Sequence, residues 1–175
     1  MKFEKVSYEE FKKAMLDFNV IYNANEDNIK EMYEGIKLPK RSTSASAGYD
    51  FFMPFACFIN SGNSVVIPTG IRWIPDDESY VLMLFPRSGL GTKYRLRLNN
   101  TVGIVDADYF KASNEGHILV YLTNDSKNPR KLLYIEKEKG FMQGIITRYY
   151  KVDDDDETNT RTGGFGSTDK TNEEN

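Results

Sequence analysis

The sequence predicts a mainly β fold, a sandwich or barrel, with a helical N-terminal extension and a flexible C-terminal arm. Three observations carry that reading. Between residues 47 and 150, short apolar or alternating runs (YDFFM, ACFI, SVVIP, IRWI, YVLMLF, LRLN, HILVYLTN, KLLYI and GIITRYYKV) follow one another, separated by Gly, Pro, Asn and Asp clusters. Such close spacing of short strands suits a sandwich or barrel better than alternating α/β units. Residues 1–36 have a different texture, with apolar side chains at helical spacing. After residue 152 the chain turns to DDDDETNT, a charged stretch with no core to bury. The expected organisation is an extension over 1–36, a β domain over 37–152, and a linker with a terminal motif over 153–175.

Within the extension, Ser7 and Glu10 have capping-box spacing, and Phe11, Met15 and Phe18 recur on one helical face. EDNIKEMYEGI predicts a second helix ending near Gly35, with Pro39 beyond it. The 175 residues are enough for one domain with its own core. A formal charge of −3 argues against general nucleic-acid binding, because a phosphate backbone calls for a basic surface. A single cysteine, Cys57, forms no internal disulfide, and with His117 as the one histidine a Cys/His zinc site is excluded. No apolar run reaches membrane-spanning length, and MKFEKVSYEEFKKAM lacks the apolar core of a signal peptide. These features suit a soluble protein of a reducing cytoplasm. Cys57, His117 and Trp73 are read as structural residues.

Three segments carry chemistry. In FPRSGLGTKY, Pro86 holds Phe85 extended, Ser88 is placed to cap a short helix, and Arg87 offers a permanently charged fork suited to phosphate oxygens. Gly89 and its neighbours allow close approach of a ligand, while the spacings of the P-loop and of GxGxxG are both absent. In LNNTVGIVDADY, Asn99, Asn100 and Gly103 mark a hairpin whose backbone suits the edge of a planar base. If residues 105–109 are extended, Asp106 and Asp108 share a face and Tyr109 points the other way unless the backbone bends. Finally, RTGGFGST, at 161–168, offers one cation, one aromatic face and two hydroxyls among glycines.

Taken in order, AGYD (47–50), PRSGL (86–90), NTVGIVDADY (100–109), GFMQGII (140–146) and GGFGST (163–168) resemble the five motifs of the trimeric dUTPase family. The resemblance implies a jelly-roll-like subunit that hydrolyses dUTP to dUMP and pyrophosphate, limiting uracil in DNA and supplying dUMP. It implies Asp106 as general base, and substrate binding by Arg87, Ser88, Gly89, Asn100, Gly103, Tyr109 and Gln143. Arg161, Phe165, Gly166, Ser167 and Thr168 would join them when the terminal motif closes. Mg²⁺ is the implied cofactor, met by Asp50 through water, and a homotrimer with shared sites is the implied assembly. Where the family continues DYRGE, this chain has DYFKASNEGHI, with residues added before the next strand. Two rivals are a dCTP deaminase-related enzyme and a regulatory protein using the same pocket as a sensor.

Overall fold

The computed structural model describes residues 1–20, 25–159, 161 and 163. The chain opens with strand β1 (Lys2–Lys5) and helices α1 (Tyr8–Asp17) and α2 (Glu26–Glu34). Strands β2 (Tyr49–Phe52), β3 (Cys57–Ile59), β4 (Ser64–Pro68), β5 (Ile71–Ile74) and β6 (Tyr80–Pro86) follow. Next come α3 (Ser88–Tyr94), β7 (Leu96–Leu98), β8 (Gly103–Val105), β9 (Leu119–Asn124), β10 (Leu133–Ile135) and β11 (Gly140–Arg148). Among the described residues the strands form a four-stranded sheet β2-β11-β6-β8, a three-stranded sheet β4-β9-β7, and the pairs β1-β5 and β10-β3. All pairings are antiparallel, as a jelly-roll-like fold requires.

Alternation explains the inward faces. In β5, Ile71 and Trp73 are buried; in β6, Leu82 and Leu84 are. They meet Phe51, Phe141 and Leu122 in one continuous core. Trp73 is 1% exposed, and its Nε1 has no hydrogen-bond partner among the described residues. Leaving that donor unpaired costs about 1–3 kcal/mol. Burying some 150–250 Å² of indole returns roughly 4–6 kcal/mol at the usual area coefficient, so the ring stays in. β11 starts at Gly140, four residues before the run that announced it, because Phe141 and Met142 are both fully buried. It ends at Arg148, leaving Tyr150 and Val152 exposed.

The N-terminal extension departs from its purely helical reading. Residues 2–5 are a strand, pairing Phe3 with Trp73 and Lys5 with Ile71, because the edge of β5 offers unpaired backbone groups. Glu4 reinforces the pairing by accepting from Arg72 Nη2 at 2.8 Å. The two helices stand where the sequence placed them. Ser7 Oγ accepts from Glu10 N at 3.1 Å, Asn25 Oδ1 caps α2 through Asn28 N at 2.9 Å, and α2 ends at Gly35. The capping box, however, is closed by a distant residue: Glu115 Oε2, not Glu10, accepts the Ser7 N–H, at 2.8 Å. Phe11 and Met15 are buried as expected, whereas Phe18 is the exposed C-cap.

Candidate functional site

The LRL segment does not form a hairpin with the strand after it. β7 pairs with β9, whereas β8 pairs with β6, so residues 99–102 carry the chain from one sheet to the other. The crossing is tight. Thr101 N donates to Leu98 O at 3.0 Å, Val102 N to Asn100 O at 2.7 Å, and Thr101 has φ +67°. The Asn100 amide has no hydrogen bond among the described residues and stays available to a ligand. Gly103 follows with its α-carbon against β6, where an added Cβ would lie 3.0 Å from Leu84 Cβ.

β8 ends at Val105, and the backbone then bends rather than staying extended. Tyr109 N donates to Asp106 O at 3.1 Å, and Tyr109–Lys111 forms a 3-10 turn. This bend overrides strand alternation, so Tyr109 comes to the same side as Asp106. Asp106, Tyr109, Asn100, Gly103 and Arg161 line one cavity of about 370 Å³. The phenol is buried and fully engaged: Oη donates to His117 O at 3.0 Å and accepts from Asn114 Nδ2 at 2.9 Å. Burial pushes its pKa up, with Asn114 and Arg161 working against that shift, so the ring enters the cavity as a neutral surface.

Arg161 bridges both acids. Its Nε donates to Asp108 Oδ1 at 2.9 Å and its Nη2 to Asp106 Oδ2, with the guanidinium 5.6 Å above the Tyr109 ring. Asp106 is half-exposed, and an exposed ion pair contributes only about 0–1 kcal/mol. Asp108 is thus a salt-bridged acid, joined to Asp106 through Arg161.

Arg87, Ser88, Gln143 and Asp50 gather in a second cavity of about 310 Å³, together with Ser42 and Gly48. Asp50 and Gln143 face each other across β2 and β11. Asp50 is largely covered, 3.4 Å from Arg87 Nε, and accepts from Ser42 Oγ at 2.5 Å. Arg87, not Ser88, is the N-cap of α3, and it makes no side-chain cap bond. Ser88 is instead the first helical residue, where its own N–H and that of Gly89 have no partner a turn back. Two glycines make room for this arrangement. A Cβ on Gly140 would lie 2.4 Å from Arg87 Nη1, and one on Gly48 2.7 Å from Gln143 Oε1. Both glycines stand in segments that resemble family motifs, AGYD and GFMQGII, but the side chains they face come from distant parts of the chain. Gly89 is open, with nothing near the position of a Cβ.

The two cavities share no lining residue. Phe165, Gly166, Ser167 and Thr168 lie outside the described residues. His117, read as structural, is fully buried: its Nε2 accepts from Gly70 N at 2.9 Å, and Nδ1 lies 3.3 Å from Glu10 Oε1. Desolvation lowers its pKa to about 4, Glu115 pulling weakly the other way.

The dUTPase family model matches residues 34–169, most of the chain. The chain belongs to the dUTPase family. The deoxyuridine 5'-triphosphate nucleotidohydrolase of Lactococcus lactis subsp. lactis is 38% identical over 138 residues, covering 77% of this chain and 89% of the relative. Among solved structures, the dUTPase from Streptococcus mutans matches with TM-score 0.64 and 28% identity, over 87% of this chain and 99% of the other. A mutant dUTPase from phage phi11 of S. aureus, 20% identical with TM-score 0.58 over 70% of this chain and 90% of the other, shares the fold and coordinates a structural Mg(II) ion. Four of the five sequence segments that resemble dUTPase motifs supply residues to the two cavities; the fifth, GGFGST, lies outside the described residues apart from Gly163.

Proposed function

We propose that this chain hydrolyses dUTP to dUMP and pyrophosphate by attack of water on the α-phosphorus. The observation that carries the reading is the gathering of Asp106, Tyr109, Asn100 and Gly103 around one cavity. Half-exposed Asp106 stands at the mouth and takes the proton of the attacking water, a role that typically contributes about 10²–10⁴ in rate. The buried Tyr109 ring packs beneath the deoxyribose and leaves no space for a 2′-hydroxyl. The free Asn100 amide and the backbone of the 99–103 crossing pair with the uracil edge. Cytosine would leave those groups unpaired, and the tight crossing excludes a thymine methyl.

The remaining phosphate-binding groups, Arg87, Ser88, Gly89 and Gln143, line the other cavity. That separation supports a homotrimer in which the acidic cavity of one copy meets the Arg87 cavity of another. Residues 153–175 then act as linker and lid, with Phe165 stacked on uracil and Gly166, Ser167 and Thr168 at the phosphates. Arg161 exchanges Asp106 and Asp108 for phosphate oxygens as the lid closes.

Among the described residues no group of three or more His, Cys, Asp or Glu side chains is placed to hold a metal. The donor set beside Arg87, one covered carboxylate and one amide, still fits Mg²⁺, a hard ion that retains several waters and takes its other ligands from phosphates. Asp50 would meet it through water; when bound, the ion neutralises and aligns the triphosphate. Among the described residues no helix is long and apolar enough to cross a membrane, and lone Cys57 suits action in the cytoplasm.

The test is pyrophosphate release over dUTP, dTTP, dCTP and UTP with Mg²⁺. Turnover confined to dUTP is expected. Ammonia release from dCTP would move the chain to the deaminases, and tight dUTP binding without pyrophosphate would make it a sensor.

A further inference from the structure

Both hydrogen-bonding directions of the Tyr109 hydroxyl end on one loop, residues 112–117. His117 O accepts from it at 3.0 Å and Asn114 Nδ2 donates to it at 2.9 Å. The loop is tightly wound: Glu115 N donates to Ala112 O at 2.8 Å, Gly116 N to Asn114 Oδ1 at 3.2 Å, and Glu115 and Gly116 have φ +58° and +73°. At Gly116 a Cβ would lie 2.4 Å from Phe110 Cα, so the loop turns directly against the residue after Tyr109.

The other side of this loop is held by the N-terminal segment. Glu115 accepts from Ser7 Oγ at 2.6 Å and from Ser7 N at 2.8 Å. Glu10 Oε1 lies 3.3 Å from His117 Nδ1, and Phe11 packs 6.3 Å from the imidazole between ring centres. His117 Nε2 is tied to Gly70 N, while Gly70 O accepts from Val6 N at 3.0 Å. An unbroken series of contacts thus runs from the start of α1, through Glu115 and His117, to the phenol in the cavity. These contacts join two parts of the chain to which the five motifs assign no role: residues 1–36 and the extra residues before β9.

We infer that Ser7 and Glu115 are positioning residues, through which the N-terminal segment fixes Tyr109 against the sugar and so sharpens selection of 2′-deoxyribose over ribose. The inference rests on the dUTP-hydrolysing reading of the same cavity. Its physical basis is preorganisation. A ring held at its far end cannot retreat to admit a 2′-hydroxyl, whereas an untethered loop lets it tilt.

The test compares wild type, Glu115→Ala, Glu115→Gln, Ser7→Ala and, as control, Asn25→Ala, which loses the cap of α2 without touching the loop. Two readouts are taken: kcat and KM for dUTP and UTP, and calorimetric affinity for dUMP and UMP. Glu115→Ala is expected to raise KM for dUTP several-fold with kcat within about twofold, and to narrow the dUTP/UTP and dUMP/UMP ratios several-fold. Ser7→Ala shifts both in the same direction by less, and serves as the test should Glu115→Ala fail to fold. Glu115→Gln, which keeps an acceptor for Ser7, recovers part of the loss. Unchanged ratios in both Glu115→Ala and Ser7→Ala, or an equal shift in Asn25→Ala, would overturn the positioning role while leaving the activity intact. A wild-type chain that neither hydrolyses dUTP nor prefers dUMP over UMP would remove the function itself, and the positioning role with it.

Discussion

Around Tyr109 every polar atom of the side chain is engaged: the phenol is tied at both valences to a loop that α1 holds from behind. Around Arg87 the guanidinium is 44% exposed, touches one carboxylate at 3.4 Å, and lies over Gly140, where a Cβ would meet its Nη1. The first cavity is built for shape, the second for charge. A sugar differs from its rival by one hydroxyl, so discrimination needs walls that do not yield. A triphosphate is recognised by long-range attraction and hydrated ions, which tolerate an open, adjustable surface. On the proposed reading, rigid packing would serve the nucleoside and open room the phosphates.

The contrast is broken most directly at the acid. Asp106→Asn should lower kcat for dUTP by about 10²–10⁴ while leaving the affinity for a non-hydrolysable dUTP analogue near wild type; near-normal turnover in a single-turnover assay would dismiss Asp106 as the base. Next in size is Gly140→Ala. Its Cβ would sit within 2.4 Å of Arg87 Nη1 and displace the guanidinium. Loss of one charge-assisted contact, about 1.5–3 kcal/mol, predicts a roughly 10–100-fold weaker grip on the triphosphate with dUMP affinity unchanged. Equal loss for dUMP would mean the two cavities are not separate in function.

A pH effect probes the braced side. The folded state holds His117 neutral, with a pKa of about 4 against 6.5 in the unfolded chain. Between those values the unfolded state binds more protons, so this contribution is complete above pH 6.5 and is lost as pH falls toward 4. Its ceiling is roughly 3 kcal/mol. Glu10 works the other way, because burial raises its carboxyl and favours the folded state at low pH. Chemical denaturation at pH 7, 5.5 and 4.5 should show falling stability in wild type and a flatter profile in His117→Gln; parallel profiles would exclude His117 as the source. The smallest effect is at Asn25→Ala. Loss of that cap costs about 1 kcal/mol, or 2–4 °C in Tm, with dUTP turnover unchanged.

The strands were legible because they depend on local pattern. Alternation marked β5 and β6, a capping pair marked α1, Gly35 marked the end of α2, and Asp106 and Tyr109 stood in a segment whose residue order resembles a family motif. The β1 strand escaped notice because four residues, KFEK, carry too little pattern, and the edge of β5 alone makes them extended. The hairpin reading failed for a related reason. Turn residues at 99–103 announce a reversal but do not say which strands it joins, and pairing with β9 and β6 is settled by long-range burial.

By itself, then, the sequence determined the mainly β class, the Ser7 cap, the helix ending near Gly35, and a residue order that resembles the dUTPase motifs. Those traits come from periodicity, composition and functional groups, which are properties of neighbours along the chain. Only the tertiary structure decided that Glu115 completes the cap of a helix 108 residues away, and that Gly140 makes room for Arg87. It also decided that Tyr109 turns to the side of Asp106. Each depends on which surfaces meet when the sheets close, and no local pattern encodes that meeting.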